Sequence, residues 1–408
     1  MNNKDKIVVT CKLCLMTNQK PFSVNETKNE LSNQKKSTLH INDDGICAAC
    51  KSIEAKKNID WDFREKELWK ICDLNRSKDG KYDCIVSGSG GKDSMFQAHI
   101  LKYKFNMNPL TVTYSPILKT EVGIKNSTNW VNIGGFDNYT FSPNGKVLSV
   151  LTREAFKNIL HPAQPFKIGI KTFASKMAKN FGIKLVFYGE PYSDYGSSPT
   201  PTLSDAYYPL EWSLNEDKLD DIHIAGLQVK EIKKKYNFLR DQDFIPYMPL
   251  KKKDFTDLDL KILFLGWFLK WDPQEIYYYS TKKSGYILDD YKSDGSYGRY
   301  SSVDDKMEYL HFYCSYIKFG IGRCRLDASQ EIRNGHITRE EGINLCKKFE
   351  DEFPTRYAQD CFDFMGYSYK EAIEIIDKFR PNHLWKKINN KWKRLERKIK
   401  LEDRKPNK

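Results

Sequence analysis

No apolar run in the chain is long enough to span a bilayer, and no apolar signal core follows the amino terminus, MNNKDK. A cytoplasmic protein is therefore expected. A Walker A loop is missing: Val86 stands where its first glycine belongs, and Gly91-Lys92 is followed by Asp93. The dinucleotide fingerprint is missing too, because Gly88-Ser-Gly90 has no glycine three residues on. Neither a Ser-His-Asp nor a Cys-His signature of nucleophilic catalysis is present. These absences exclude membrane spans, P-loop and Rossmann nucleotide binding, and covalent catalysis of the protease type.

What remains is a 408-residue chain with 40% hydrophobic content, enough for two or three units and a large core. Its ten cysteines read as thiols or metal ligands rather than disulfides. The net charge of +13 fits a Lys-rich solvated surface or a basic face for nucleic acid or nucleotides, and charge alone does not separate the two.

The organising stretch is SGSGGKDS, residues 87–94. An apolar strand over 83–86 precedes it and a helix over 95–101 is expected after it. A strand, a glycine-rich turn and a helix form a phosphate cradle, because backbone N–H groups and the helix dipole both face the anion. Ser87, Gly88, Ser89, Gly90, Gly91, Lys92, Asp93 and Ser94 are the candidate phosphate-binding residues. Ser89 and Ser94 add hydroxyls, Lys92 adds charge, and Asp93 is placed to hold magnesium. Ser89 to Ser94 resembles the pyrophosphate loop of the PP-loop ATP pyrophosphatases, which cleave ATP between the α and β phosphates.

Two Cys-x-x-Cys knuckles precede the loop, Cys11/Cys14 and Cys47/Cys50. Four thiolates close a tetrahedral shell, so structural zinc is expected there, with the polar segment 18–36 inserted between the knuckles. Helical spacing over 53–77 reads as packing that links this unit to the nucleotide domain. Further strands are expected over 110–114, 138–142 and 184–188, with helices over 147–159 and 167–181. This alternation indicates a parallel sheet covered on both faces, with ligands beyond the carboxyl ends of its strands. Tyr114, Ser115, Gly189 and Glu190 fall at those ends, and Tyr195 lies close behind. Glu190 and Asp194 suit magnesium or a sugar hydroxyl.

Beyond position 195 the chain turns polar and aromatic. The apolar run 260–271 reads as core packing. Arg323, Arg325, Arg333, His336 and Arg339 form a cationic cluster suited to an anionic sugar nucleotide or to interdomain ion pairing. Thr338-x-x-Glu341 reads as a capping box opening a helix. The basic, Trp-containing end, 381–408, reads as a solvated helix.

Together these motifs resemble the N-acetyl sugar amidotransferases, PP-loop enzymes of bacterial surface-polysaccharide and nonulosonic-acid pathways. The resemblance covers most of the chain. It rests on both cysteine knuckles with Asp44-Gly45-Ile-Cys47, on residues 87–94, on Phe187-Tyr-Gly-Glu190, on Phe268-Leu-Lys-Trp-Asp272, and on the block 332–341. Pro191 departs from the family pattern, which has a small polar residue there. The implied fold is α/β: a parallel-sheet, adenine nucleotide α-hydrolase-like PP-loop domain over 61–200. A zinc-ribbon-like unit over 1–60, a mostly helical substrate region over 201–380 and a basic tail over 381–408 complete it. The implied reaction converts an acetamido group of a nucleotide-activated sugar into an acetamidino group through an adenylated imidate, releasing AMP and pyrophosphate. Lys92, Asp93 and Glu190 would serve catalysis, and Arg333, Arg339 and Tyr195 would bind the sugar nucleotide. ATP, Mg2+ and structural Zn2+ are the implied cofactors. Ammonia would come from a separate glutaminase pair, since no glutaminase domain is legible here. Nucleic acid is not expected as a partner. The alternatives are a tRNA-modifying PP-loop enzyme, of the thiolating or lysidine-forming kind, and a zinc-ribbon binding module with a decayed loop.

Overall fold

The computed structural model describes residues 8–18, 40–189, 206 and 218–395. Glu190 and Tyr195 lie outside the described residues. Four strands come first, β1 (Cys84–Ser87), β2 (Pro109–Tyr114), β3 (Asn138–Phe141) and β4 (Leu185–Tyr188). A short hairpin, β5 (His223–Ile224) and β6 (Leu227–Gln228), follows, and then β7 (Lys261–Phe264). The main sheet is parallel, in the order β3-β2-β1-β4-β7. In β1, Ile85 stands opposite Leu110 on one side and Val186 on the other.

Alternation along each strand explains why both faces are covered. Cys84, Val86, Leu185, Phe187 and Leu263 pack with Leu68, Met95 and Phe268 on one face. Ile85, Leu110, Val112, Val186 and Ile262 pack with Phe173 and Ala174 of the helix Gln164–Phe181 on the other. A period of two sends neighbours to opposite faces, and helices on both sides require both sets to be apolar. Each such large side chain contributes about 1.5–3 kcal/mol on burial.

The expected elements are present with small shifts at their ends. The helix Gly145–Ile159 is capped by Asn144, and Arg339–Phe349 has the Thr338/Glu341 capping box. The run 260–271 is more than core packing. It supplies the fifth strand of the sheet and a helical turn, Leu265–Phe268, so the sheet extends past position 200. The basic end is not a helix as far as Leu395. There β8 (Trp385–Ile388) and β9 (Lys391–Arg394) form an antiparallel hairpin. Asn389 and Asn390 turn it with φ of 49° and 59°, the left-handed conformation that asparagine tolerates at a tight hairpin turn.

The carboxyl-terminal region is built on the helix Lys306–Phe319, whose side chains are nearly all buried. The cysteine unit docks on this region. Leu15 N–H donates to Ser329 Oγ at 3.3 Å, and Arg325 donates to the Leu15 carbonyl at 3.0 Å. Arg325 also makes a two-pronged pair with Glu350, both contacts at 2.7 Å, and Arg394 from the hairpin joins at 3.0 Å. Glu350 thus ties together the knuckle, two helices and the hairpin. Burial pushes its carboxyl up, but Arg325 and Arg394 outweigh burial and hold it below the usual range.

Glu350→Gln leaves Arg325 buried without its countercharge, which costs roughly 3–5 kcal/mol. Because the folded carboxyl is depressed, its stabilisation is present above the unfolded value and is lost as pH falls through the folded one. Denaturant melts should therefore show the variant far weaker than the parent at pH 7, with the gap closing under acid. Equal stability at pH 7 would contradict the assignment.

Candidate active site

The strand order reverses at β1: β2 and β3 lie to one side, β4 and β7 to the other. A crevice opens at such a reversal, beyond the carboxyl ends of the strands. The loop 87–94 leaves β1 at this point. Gly88 N–H donates to the Val112 carbonyl at 3.0 Å, and a Cβ on Gly88 would lie 2.1 Å from that of Ser94. Gly90 has φ +91°, and a Cβ there would press on Ser127 Cα at 2.7 Å. Only glycine permits this path. The helix Lys92–His99 begins directly after it with Gly91 as N-cap, so its free N–H groups face the crevice.

Lys92 Nζ is buried and contacts both Asp93 oxygens at 2.8 Å. Ser94 Oγ donates to the Gly91 carbonyl at 2.8 Å. Ser89 Oγ donates to Asp304 Oδ2 at 2.6 Å. Asp304 is pushed up by burial, which outweighs the Ser89 hydrogen bond.

A cavity of about 390 Å3 lies over the loop. All of 87–94 lines it, with Gly189 from the end of β4. The facing wall comes from far along the chain and includes Trp271, Tyr300, Arg323, Asp327, Glu331 and His336. The wall is cross-braced. Arg323 donates to Asp327 at 2.8 Å and to Ser302 at 2.6 Å. Tyr300 and Gln274 donate to the two oxygens of Glu331 at 2.8 and 2.6 Å. His336 Nε2 contacts Asp272 at 2.9 Å. Three buried polar atoms of the lining residues lack a hydrogen-bond partner: Gln97 Oε1, Trp271 Nε1 and Tyr297 Oη. Buried groups of this kind carry a desolvation cost that a polar ligand or water relieves. A second cavity of about 290 Å3 adjoins on the β2–β3 side, lined by Thr113, Lys119 and Thr140, and shares Ser89 and Asp304 with the first. The arrangement suits a phosphate-bearing ligand on the loop and a polar second ligand against the far wall.

Several expected positions lie elsewhere. Tyr114 is buried on the sheet's other face among Phe141, Phe166 and Phe173, and its hydroxyl is pushed far up by burial. Neither Tyr114 nor Ser115 lines the cavity. Arg333 and Arg339 do not line it either. Arg333 reaches Cys14 Sγ at 3.9 Å, and Arg339 donates to the Cys14 and Cys11 carbonyls at 3.3 and 3.5 Å. Sequence reasoning passed over Asp304, Trp271, Tyr300 and Glu331. The only signal for Asp304 was an acidic pair just before a helix.

The four knuckle thiols are buried and lie within 4.8 Å of one another. Cys11–Cys50 and Cys14–Cys47 are 3.8 and 3.7 Å apart. Zinc–sulfur bonds of about 2.3 Å give a tetrahedron with edges of roughly 3.8 Å, so the geometry fits zinc. The Met16 and Cys47 N–H groups donate to Cys14 and Cys11 sulfurs at 3.4 and 3.3 Å. Arg333, beside Cys14, would offset part of the net negative charge that four thiolates carry around a zinc ion. The expected outcome is one zinc per chain by elemental analysis, and Cys47→Ser loses it along with thermal stability. A fully stable, zinc-free wild-type protein would contradict this.

Residues 294–399 match the family model described as LPS biosynthesis protein WbpG-like, C-terminal domain. Over 84 residues the chain is 34% identical to an uncharacterized protein of Methanocaldococcus jannaschii, a match covering 21% of this chain and 30% of that relative's length. A predicted subunit of tRNA methyltransferase from Methanocaldococcus jannaschii aligns at 14% identity over 59% of this chain and 90% of its own, with a TM-score of 0.26. An NMN synthetase from Francisella tularensis aligns at 11% identity over 52% of this chain and 94% of its own, with a TM-score of 0.26. The chain joins a parallel five-stranded sheet carrying a glycine-rich loop, with a four-cysteine unit before it, to a carboxyl-terminal segment similar to that of WbpG-like proteins of LPS biosynthesis.

Proposed function

We propose that the protein is an ATP-dependent, AMP-forming amidotransferase. It converts the acetamido group of a nucleotide-activated N-acetyl sugar to an acetamidino group with ammonia from a separate glutaminase. The supporting observation is that one cavity has two walls of different origin. The glycine loop at the end of β1 forms one. The other comes largely from the segment that matches the WbpG-like domain.

An amide oxygen is a poor leaving group. Its attack on the α phosphorus of ATP forms a C–O–P linkage and releases pyrophosphate. Ammonia then adds to the imidate carbon, the C–O bond breaks, and AMP leaves with that oxygen. Two protons leave the nitrogens over the two steps, and the basic amidine product takes one back. The N–H groups at the start of Lys92–His99 and the Lys92 ammonium stabilise charge on the departing pyrophosphate, and the Ser89 and Ser94 hydroxyls join them on turning from Asp304 and the Gly91 carbonyl. Magnesium, when bound, neutralises phosphate charge, and Asp93 is the carboxylate on the loop to hold it. No cysteine lines the cavity among the described residues, which weighs against sulfur transfer.

Incubation with ATP, ammonia and candidate sugar nucleotides should give AMP, pyrophosphate and a product about one mass unit lighter, oxygen having been replaced by NH. AMP formed only in the presence of tRNA would overturn the reading. Ser94→Ala and Asp93→Ala should each lower pyrophosphate release roughly 100-fold or more; the melting temperature should change little for Ser94→Ala and fall for Asp93→Ala, which leaves buried Lys92 without its countercharge. Full activity in either variant would remove the loop from the chemistry.

A further inference from the structure

The second step of the proposed reaction needs a proton acceptor. When ammonia adds to the imidate carbon, the new C–N bond leaves a positive charge on the attacking nitrogen. A proton must leave that nitrogen before the C–O electron pair departs with AMP, or ammonia is expelled instead.

Among the described residues, the carboxylates that line the cavity are already engaged. Both Asp93 oxygens face Lys92. Asp327 accepts from Arg323 on one oxygen and from Ser296 on the other, at 2.8 and 2.6 Å. Glu331 is held by Tyr300 and Gln274. Asp304 accepts from Ser89, and burial favours its neutral form. His336 differs. Its Nε2 lies 2.9 and 3.1 Å from the two oxygens of Asp272. A carboxylate only accepts, so Nε2 carries a hydrogen, and in the neutral ring Nδ1 then carries the lone pair.

Both partners are fixed by the ends of helices. Asp272 is buried and caps the helix Pro273–Ser284, accepting from the Gln274 and Glu275 N–H groups at 2.9 and 3.2 Å. His336 follows the helix Arg323–Asn334 past Gly335, whose φ is +81°, and its N–H closes on the Glu331 carbonyl at 2.9 Å. The imidazole is therefore oriented from two directions, and it lines the same cavity as the loop.

We infer that His336 is the proton acceptor for the attacking nitrogen and that Asp272 is the residue that positions it. The inference rests on the amidotransferase reading. In the addition step Nδ1 takes one proton from the tetrahedral intermediate's ammonium nitrogen. The C–O bond then breaks towards AMP, and the imidazolium returns the proton to water.

The test uses the full-length protein with ATP, ammonia and the accepted sugar nucleotide. His336→Ala should lower kcat for amidine formation roughly 100-fold or more, the scale of a lost general base, with KM for ATP and for the sugar nucleotide within threefold of the parent. Added imidazole should restore at least tenfold. His336→Gln preserves a donor to Asp272 but has no basic nitrogen, so it should be as slow as His336→Ala. If His336→Gln retains kcat within threefold, or if imidazole restores nothing to a folded His336→Ala protein, the inference is overturned. A wild-type protein that makes no amidine with any sugar nucleotide defeats the functional reading itself, and is thereby distinguished from failure of the histidine alone.

Discussion

The aspartate pair Asp304-Asp305 holds the two halves of the molecule at one distance. Asp305 accepts from the N–H groups of Ile117, Leu118 and Met307 at 2.7, 3.0 and 2.9 Å. The first two belong to the exit from β2, and the third to the helix Lys306–Phe319 that Asp305 caps. Lys306 N–H donates back to the Leu118 carbonyl at 2.8 Å. Asp304 meets Ser89 on the loop, and a Cβ on Gly123 would lie 2.6 Å from Asp304 Cα. Backbone approach this close leaves no room for the halves to slide. Asp305 is buried, and a buried carboxylate is tolerated only where donors surround it. The cleft is thus a gap of fixed width between a loop and a wall, sewn together at one corner.

Much of one side of this cleft was legible in the sequence. Residues 87–94 fit a phosphate cradle because glycine, hydroxyl and charge follow one another at fixed spacing, and local geometry alone dictates their use. Strands β1 to β4 were legible through their short apolar runs between turns. The fifth strand was hidden because 262–269 is an unbroken run without a charge, so no period separates the strand from the turn that follows. The hairpin at the end was hidden by its lysines, which suit a solvated helix as well as a solvated ribbon. Its Asn389-Asn390 turn was the one sign against a helix.

The far wall was not legible because its bonds are made across the chain. Gln274 and Glu331 are 57 residues apart, and Ser89 and Asp304 are 215 apart. No spacing rule covers such distances. The arginine cluster misled for a related reason. Arginines gather where negative charge is, and a sugar nucleotide is one source of it. The knuckle cysteines, once deprotonated around a metal, are another, and Arg333 and Arg339 lie beside them. Tyr114 failed differently. The end of a strand is the right place for a ligand, but the side chain there alternates between faces, and this one points into the core with Leu110 and Val112.

The helix Arg323–Asn334 connects these observations. Arg323, Asp327 and Glu331 recur every four residues and so share the face that lines the cavity. Arg325, Ser329 and Arg333 also recur every four residues, on a face that meets the cysteine unit through Leu15 and Cys14. One helix therefore carries the cavity wall on one side and the four-thiol cluster on the other. The knuckle's contacts with Arg325, Ser329 and Arg333 fix the helix's rotation about its axis, and that rotation aims Arg323, Asp327 and Glu331 across the cleft. The cysteine unit thereby shapes the cavity wall without lining it, from a seat on the carboxyl-terminal region rather than beside the glycine loop.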